Sequence, residues 1–202
     1  FDWLSKIAGE VIATPGCESN VKEIFDKTWE LRRTRKDVVI FNQFEEMGNV
    51  LWHYQVTGKA IADAYESLKT DTTRFAGACF TSGSAGTMSA GDYLKEQYPH
   101  AKLAVGEALQ CPTLLENGFG GHRIEGIGDK HVPWVHNVKN TDMVIDIDDE
   151  DSQNLLRLFN TEDGHRYLTE IVGVPKETVD QLSLLGISGI ANVLCCIKFA
   201  KY

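Results

Sequence analysis

Residues 75–107 constrain the fold more tightly than any other part of the chain. Residues 75–80 form an apolar strand pattern, Gly83-Ser84-Ala85-Gly86-Thr87 follows it, a helical pattern runs to Tyr98, and residues 102–107 read as a second strand. Strand, small-residue turn, helix and strand in close succession make a βαβ unit, which joins parallel strands by a right-handed crossover. Parallel strands need helices on both faces, so the expected class is α/β.

The remaining segments agree with that class. Asn20 with Glu23 three residues on marks a helix start, and Val21, Ile24, Phe25 and Thr28 share one face of a helix reaching about Arg33. The β-branched run at 38–41 predicts a buried strand over 37–41. Helical periodicity returns over 47–68, interrupted near Gly58, with Ile61, Tyr65 and Leu68 together. Residues 111–140, rich in Gly, His and Asn, predict long loops around a site. A strand is expected over 143–148, with Asp148 capping a helix that turns Ser152, Leu155, Leu156 and Phe159 inward. Pro175 opens a further helix carrying Val179 and Leu182, and Gly186-Ile187-Ser188-Gly189 introduces the last one. The chain begins at Phe1 without a methionine and stops at Tyr202 while the pattern Ile190, Val193, Leu194, Ile197 is still running. Homologues are therefore expected to extend beyond both ends.

Composition excludes several classes of function. Asp and Glu outnumber Lys and Arg 29 to 20, and a net charge of -9 repels a phosphate backbone, so no nucleic-acid partner is expected. No stretch approaches the roughly 18 consecutive apolar residues of a membrane helix, and no secretory signal is present, so the expected location is cytoplasmic. Cys17, Cys79, Cys111, Cys195 and Cys196 contain no C-x-x-C pair and read as reduced, partly buried thiols. His122, His131 and His136 are spaced by nine and five residues with Pro133 intervening, which matches no helical metal pair, and no metal site is expected.

The sharpest chemical signal is Gly83-Ser84-Ala85-Gly86-Thr87 itself. Small residues let consecutive backbone N–H groups converge on one anion, and a helix N-terminus adds partial positive charge. The turn is neither a Walker loop nor the G-x-G-x-x-G dinucleotide fingerprint. By itself it admits an ordinary strand-to-helix connection as well as a phosphate cradle.

Three other segments stand in a telling order with it. Asn42-Gln43-Phe44 precedes the turn, His122-Arg123-Ile124-Glu125-Gly126-Ile127-Gly128 follows it, and Gly186-Ile187-Ser188-Gly189 comes last. Together the four resemble the cysteine synthase and threonine synthase superfamily of fold-type II pyridoxal-phosphate enzymes. There a G-T-G-G-T turn wraps the cofactor phosphate, a Gln-Gln-Phe segment lies beside the substrate carboxylate, an H-K-I-Q-G-I-G loop closes over the site, and the first serine of G-I-S-S-G bonds the pyridine nitrogen. The resemblance spans nearly the whole chain. Within the superfamily, the stretch from Gly126 to Pro133 and that from Leu185 to Asn192 resemble the larger, cofactor-binding subunit of 2-amino-4-oxopentanoate thiolase and its lyase-like relatives.

The resemblance implies a tryptophan synthase β-like fold with parallel sheets flanked by helices and an incomplete N-terminal domain. Residues 1–70 would be the remainder of the smaller domain with its crossover segment, and 71–202 the large phosphate-binding domain. Pyridoxal 5'-phosphate would be held by Gly83, Ser84, Ala85, Gly86, Thr87 and Ser188, with Gln43, Gly126, Ile127 and Gly128 near the substrate. The implied chemistry is α,β-elimination or replacement on a small amino acid, or thiolytic cleavage of 2-amino-4-oxopentanoate with coenzyme A to alanine and acetyl-CoA. A homodimer, or a complex with a missing N-terminal portion or small subunit, is the implied assembly. The family's Schiff-base lysine sits in a Ser-x-Lys-x-Arg segment, and no lysine here has that context; Lys59 and Lys130 read as solvated surface residues. Without the resemblance Ser188 reads equally as a helix N-cap, Gln43 as a polar strand end, and Gly126 and Gly128 as a tight turn. A non-catalytic fragment of the same fold and an unrelated phosphate-ligand protein are the competing readings.

Overall fold

The computed structural model describes residues 1–16 and 21–202, so the expected helix start at Asn20 and the thiol of Cys17 lie outside the described residues. Helix α1 covers Val21–Thr34; α2 (Met47–Trp52) runs through a π-helical turn (His53–Gly58) into α3 (Lys59–Leu68). That π turn is the interruption expected near Gly58. It permits a close crossing, since a Cβ on Gly58 would lie 2.8 Å from Tyr93 Cβ and 3.0 Å from the Ala90 carbonyl. Then come β1 (Gly77–Thr81), α4 (Met88–Gln97), β2 (Lys102–Ala108), the short α5 (Thr113–Glu116), β3 (Met143–Ile147), α6 (Asp149–Asn160), α7 (Glu162–Arg166), α8 (Lys176–Leu182) and α9 (Ile187–Phe199). No helix among the described residues is long and apolar enough to cross a membrane.

The three strands form one parallel sheet in the order β1-β2-β3, with Thr81 opposite Gly106 and Gly106 opposite Ile145. Alternation along β2 builds two cores. Leu103 and Val105 point to one face, where Phe80, Met88, Ala90 and Leu94 pack; Ala104 and Ala108 point to the other, against Ile145, Ile147, Ala191 and Cys195. Helix α4 therefore covers one face and α9 the other, the arrangement that the βαβ pattern implied. A third cluster of Phe159, Leu168, Val179 and Ile190 ties α6, α8 and a π-helical turn at Tyr167–Val172 to α9.

Two local details depart from the sequence expectations. Residues 37–41 form no strand, and Val39 and Phe41 are 79% and 88% exposed. A strand needs a ladder partner, and β1 pairs only with β2 among the described residues, so β-branching alone is insufficient. The helical segment 162–172, on which the sequence reading is silent, starts from a side-chain cap, Thr161 Oγ1 accepting from Gly164 N–H at 3.1 Å. The expected cap at Asp148 is present, its Oδ1 accepting from Glu150 N–H at 2.6 Å.

Asp142 pins the entry to the sheet. Its carboxylate accepts from Leu103 N–H at 2.9 Å and from Lys102 Nζ at 3.0 Å, and lies 2.6 Å from Lys95 Nζ. Burial alone would raise its pKa, but the hydrogen bonds from Lys95, Leu103 and Lys102 outweigh this and hold it at about 2. A folded pKa below the unfolded value of about 3.9 contributes stability present above pH 4 and lost as pH falls toward 2. Urea titrations across that window should show the loss in the wild type and a flatter acid limb in Asp142→Asn. Leu103→Ala, which empties a fully buried site, should cost about 2–5 kcal/mol, and Leu184→Ala, at 82% exposure, less than about 0.5 kcal/mol.

Candidate functional site

The carboxyl ends of β1 and β2 open into the loops where an open parallel sheet usually binds its ligand. The turn at 83–87 leaves β1 there and feeds α4. Among the described residues the backbone N–H groups of Gly83, Ser84, Ala85, Gly86 and Thr87 have no protein acceptor, whereas the next, Met88 N–H, bonds Ala85 O at 3.1 Å. Five successive free donors at a helix start form an anion cradle, to which the helix adds its partial positive charge.

Close packing gives the turn its shape. Ala85 is nearly fully buried at φ 62°, a left-handed conformation that costs an L residue about 1–2 kcal/mol. A Cβ on Gly86 would lie 2.4 Å from Asn49 Oδ1, and one on Gly83 would lie 3.0 Å from the Gly126 carbonyl. Any side chain at 86 must therefore displace Asn49.

That asparagine belongs to a polar web over the cradle. Ser84 Oγ accepts from Gln43 Nε2 at 3.0 Å and from Asn49 Nδ2 at 3.3 Å, and Asn49 Nδ2 also donates to Gln43 O at 3.2 Å. With two donors on its oxygen, the Ser84 hydroxyl keeps its own proton for a further acceptor. From the opposite side the loop carrying Gly126 (φ 89°) and Gly128 (φ 80°) closes on the turn, Gly128 N–H donating to Ser82 O at 3.0 Å. These conformations suit glycine, and Ile127 between them drives its side chain into the core.

The resulting cleft of about 400 Å³ is lined by Gln43, residues 83–87 and Gly126, Ile127 and Gly128, so nine of the ten site residues expected from sequence meet in one place. Thr81, Asn49, His53 and Asp129 line it as well. Burial lowers the pKa of His53, whose Nδ1 sits 2.9 Å from Thr57 Oγ1. Burial also lifts the Asp129 carboxyl to about 6. The tenth residue, Ser188, is not among the lining residues. It is the second residue of α9 and not its N-cap, which is Gly186. Its carbonyl accepts from Asn192 Nδ2 at 3.0 Å, and Asn192 in turn bonds both the N–H and the hydroxyl of Thr81 at 2.8 and 2.9 Å. Ser188 is thus coupled to the cleft floor through Asn192.

No lysine is among the described residues lining the cleft. Lys59 is ion-paired with Asp63, and Lys130 Nζ lies 5.4 Å from the Phe119 ring centroid. A larger, more apolar hollow of about 650 Å³ meets the cleft at Phe44 and carries Phe25, Phe119 and Trp134, but lacks the row of free N–H donors. Sequence reasoning missed Asn49, His53, Asp129 and Asn192. Asn49 and His53 stand four residues apart on one helical stretch, a readable spacing; the burial of Asp129 has no local signal.

No family model matches the chain. It is similar to the probable cysteine synthase of Bacillus subtilis, 30% identical over 162 residues that cover 80% of this chain and 51% of that protein. It superposes on a hydrogen sulfide-producing enzyme of Fusobacterium nucleatum with a TM-score of 0.75 at 24% identity, over 99% of this chain and 54% of the other. An O-acetylserine dependent cystathionine beta-synthase from Helicobacter pylori gives a TM-score of 0.71 at 23% identity, over 99% and 57%. The chain spans about half the length of the proteins it matches. Its homologues are cysteine synthases and related fold-type II pyridoxal-phosphate enzymes, and over the half that it spans the chain has their fold.

Proposed function

We propose that this chain forms the phosphate-holding half of a pyridoxal-phosphate enzyme that carries out β-elimination or β-replacement on a small amino acid. The observation that carries the reading is the row of backbone N–H groups at 83–87 that have no acceptor among the described residues, topped by a Ser84 hydroxyl whose proton likewise has none among them. A phosphate dianion fits such a donor set, and glycine at 83 and 86 lets the turn pack against the Gly126 carbonyl and the Asn49 side chain, where an added Cβ would clash. Bound there, pyridoxal phosphate would supply an electron sink for the carbanion that forms when the substrate loses its α-proton.

The chain's own residues have separate tasks in this reading. The turn and the start of α4 hold the phosphate; Gln43, fixed against Ser84, faces the substrate carboxylate; the 126–128 loop covers the cleft and excludes water. Ser188, steadied through Asn192 and Thr81, serves the far end of the cofactor ring with a neutral hydroxyl, which makes a milder sink than a carboxylate partner. Residues 71–202 act as the phosphate-binding domain, and 1–70 contribute Gln43, Asn49 and His53 from the smaller one. The covalent lysine comes from polypeptide outside residues 1–202, in a homodimer or a complex. O-Acetylserine is the favoured substrate class, supported by the O-acetylserine dependence of the Helicobacter relative. The narrower thiolase reading exchanges this for 2-amino-4-oxopentanoate and coenzyme A with a small partner subunit; turnover of that pair, and not of O-acetylserine with sulfide, would select it.

Titration of pyridoxal phosphate into the chain, followed by tryptophan fluorescence, tests the cradle directly. Pyridoxal phosphate should bind at least tenfold more tightly than pyridoxal, and inorganic phosphate should compete. Ser84→Ala should weaken binding about tenfold, the value of one hydrogen bond to a charged group. Equal affinity for pyridoxal, or no competition by phosphate, refutes the reading.

A further inference from the structure

Among the described residues two carboxylate side chains belong to buried residues, and one of them is fully explained. Glu107, 3% exposed, accepts from Leu114 and Leu115 N–H at 2.8 and 2.9 Å and so caps α5. Asp129 differs. It is 9% exposed, it lines the cleft, and its Oδ2 is buried without a hydrogen-bond partner. Its backbone is fixed, the carbonyl accepting from Thr113 Oγ1 at 2.6 Å, so the side chain is held where it is. An orphaned, buried carboxylate oxygen is costly, on the order of 1–3 kcal/mol or more, and such groups persist where a ligand or reaction uses them.

We propose that Asp129 is the proton acceptor for a second, nucleophilic substrate of the cleft, a thiol or hydroxyl compound. The X–H bond breaks, the proton forms a new O–H bond on the Asp129 carboxylate, and the X–H electron pair stays on X, which becomes the nucleophile. The proton then passes to water and restores the carboxylate. This deepens the reading of the cleft as a pyridoxal-phosphate site and rests on it, because replacement at the β-carbon needs such a nucleophile.

The electrostatic surroundings agree. Burial places the Asp129 carboxyl at about 6, which narrows the gap to a thiol at about 8.5 while leaving the carboxylate dominant at neutral pH. The titratable groups around it are Glu107 and His136 in the small cavity beneath, His131 at that cavity's rim, His122 against Gly128, His53 across the cleft and Lys130 next in sequence. Glu107 is engaged with α5, His136 Nε2 with Thr141 Oγ1 at 3.0 Å, His53 with Thr57, and His131 with the Phe25 ring.

The test uses the complete enzyme of which this chain is a part, with O-acetylserine and sulfide. Asp129→Asn should lower kcat/KM for sulfide about 100-fold or more beyond any change in acetate release, and should abolish an acid limb near pH 6 in the wild-type profile. Equal effects on the two steps, or an unchanged acid limb, overturn the proposal. A ¹³C NMR titration of the Asp129 carboxyl in the wild-type chain needs neither activity nor a folded variant, and a midpoint near 4 overturns it as well. A wild-type protein that neither binds pyridoxal phosphate nor releases acetate refutes the cofactor reading instead, and that outcome is separately visible.

Discussion

Peptide N–H groups without acceptors are expensive wherever water is scarce, and the turn after β1 gathers five of them at one helix start. Such a row persists only if the chain is held open around it. The surrounding elements do that from three directions: α4 packs on β2 from one face, the 126–128 loop bonds Ser82 from above, and Asn49 presses against Gly86 from the side. The sheet supplies rigidity, because each strand lies between helices and cannot shift without opening two cores.

The same turn shows how closely balanced the local terms are. Ala85 adopts a left-handed conformation at a cost of about 1–2 kcal/mol, yet its methyl group is buried among Phe80, Met88 and Leu94, which returns roughly 0.8 kcal/mol. Tertiary packing must cover the difference. Serine at 84 brings a hydroxyl to the site, and the donors of Gln43 and Asn49 leave that hydroxyl free to give its proton outward. One polar web thereby joins a loop, a helix and the cradle.

The opposite wall has a different character. Gly126 and Gly128 let the backbone fold over the turn, and the tight approach of His122 to Gly128 leaves no room for a side chain there. Asp129 follows directly and is carried into the cleft by that fold. Anion-binding donors on one side and a desolvated carboxylate on the other give the cleft opposing polarity across a short span, suited to a ligand with a phosphate at one end and a proton to lose at the other.

The sequence by itself determined the βαβ unit, the cap at Asp148, the helix that opens after Pro175 and the small-residue turn at 83–87, while the family resemblance pointed to Gln43 and Gly126 to Gly128 as its neighbours. These are local: periodicity, small residues between a strand and a helix, and short motifs whose order survives without knowledge of contacts. Tertiary structure alone decided the rest. Val39 and Phe41 have strand-like side chains but no ladder partner among the described residues, and they stay exposed. Asn192 reaches Thr81 across 111 residues, placing Ser188 behind an intermediary that no spacing rule reveals. Asp129 is an ordinary acidic residue in the sequence. Its raised pKa comes from desolvation, a property of everything packed around it and so of no local segment.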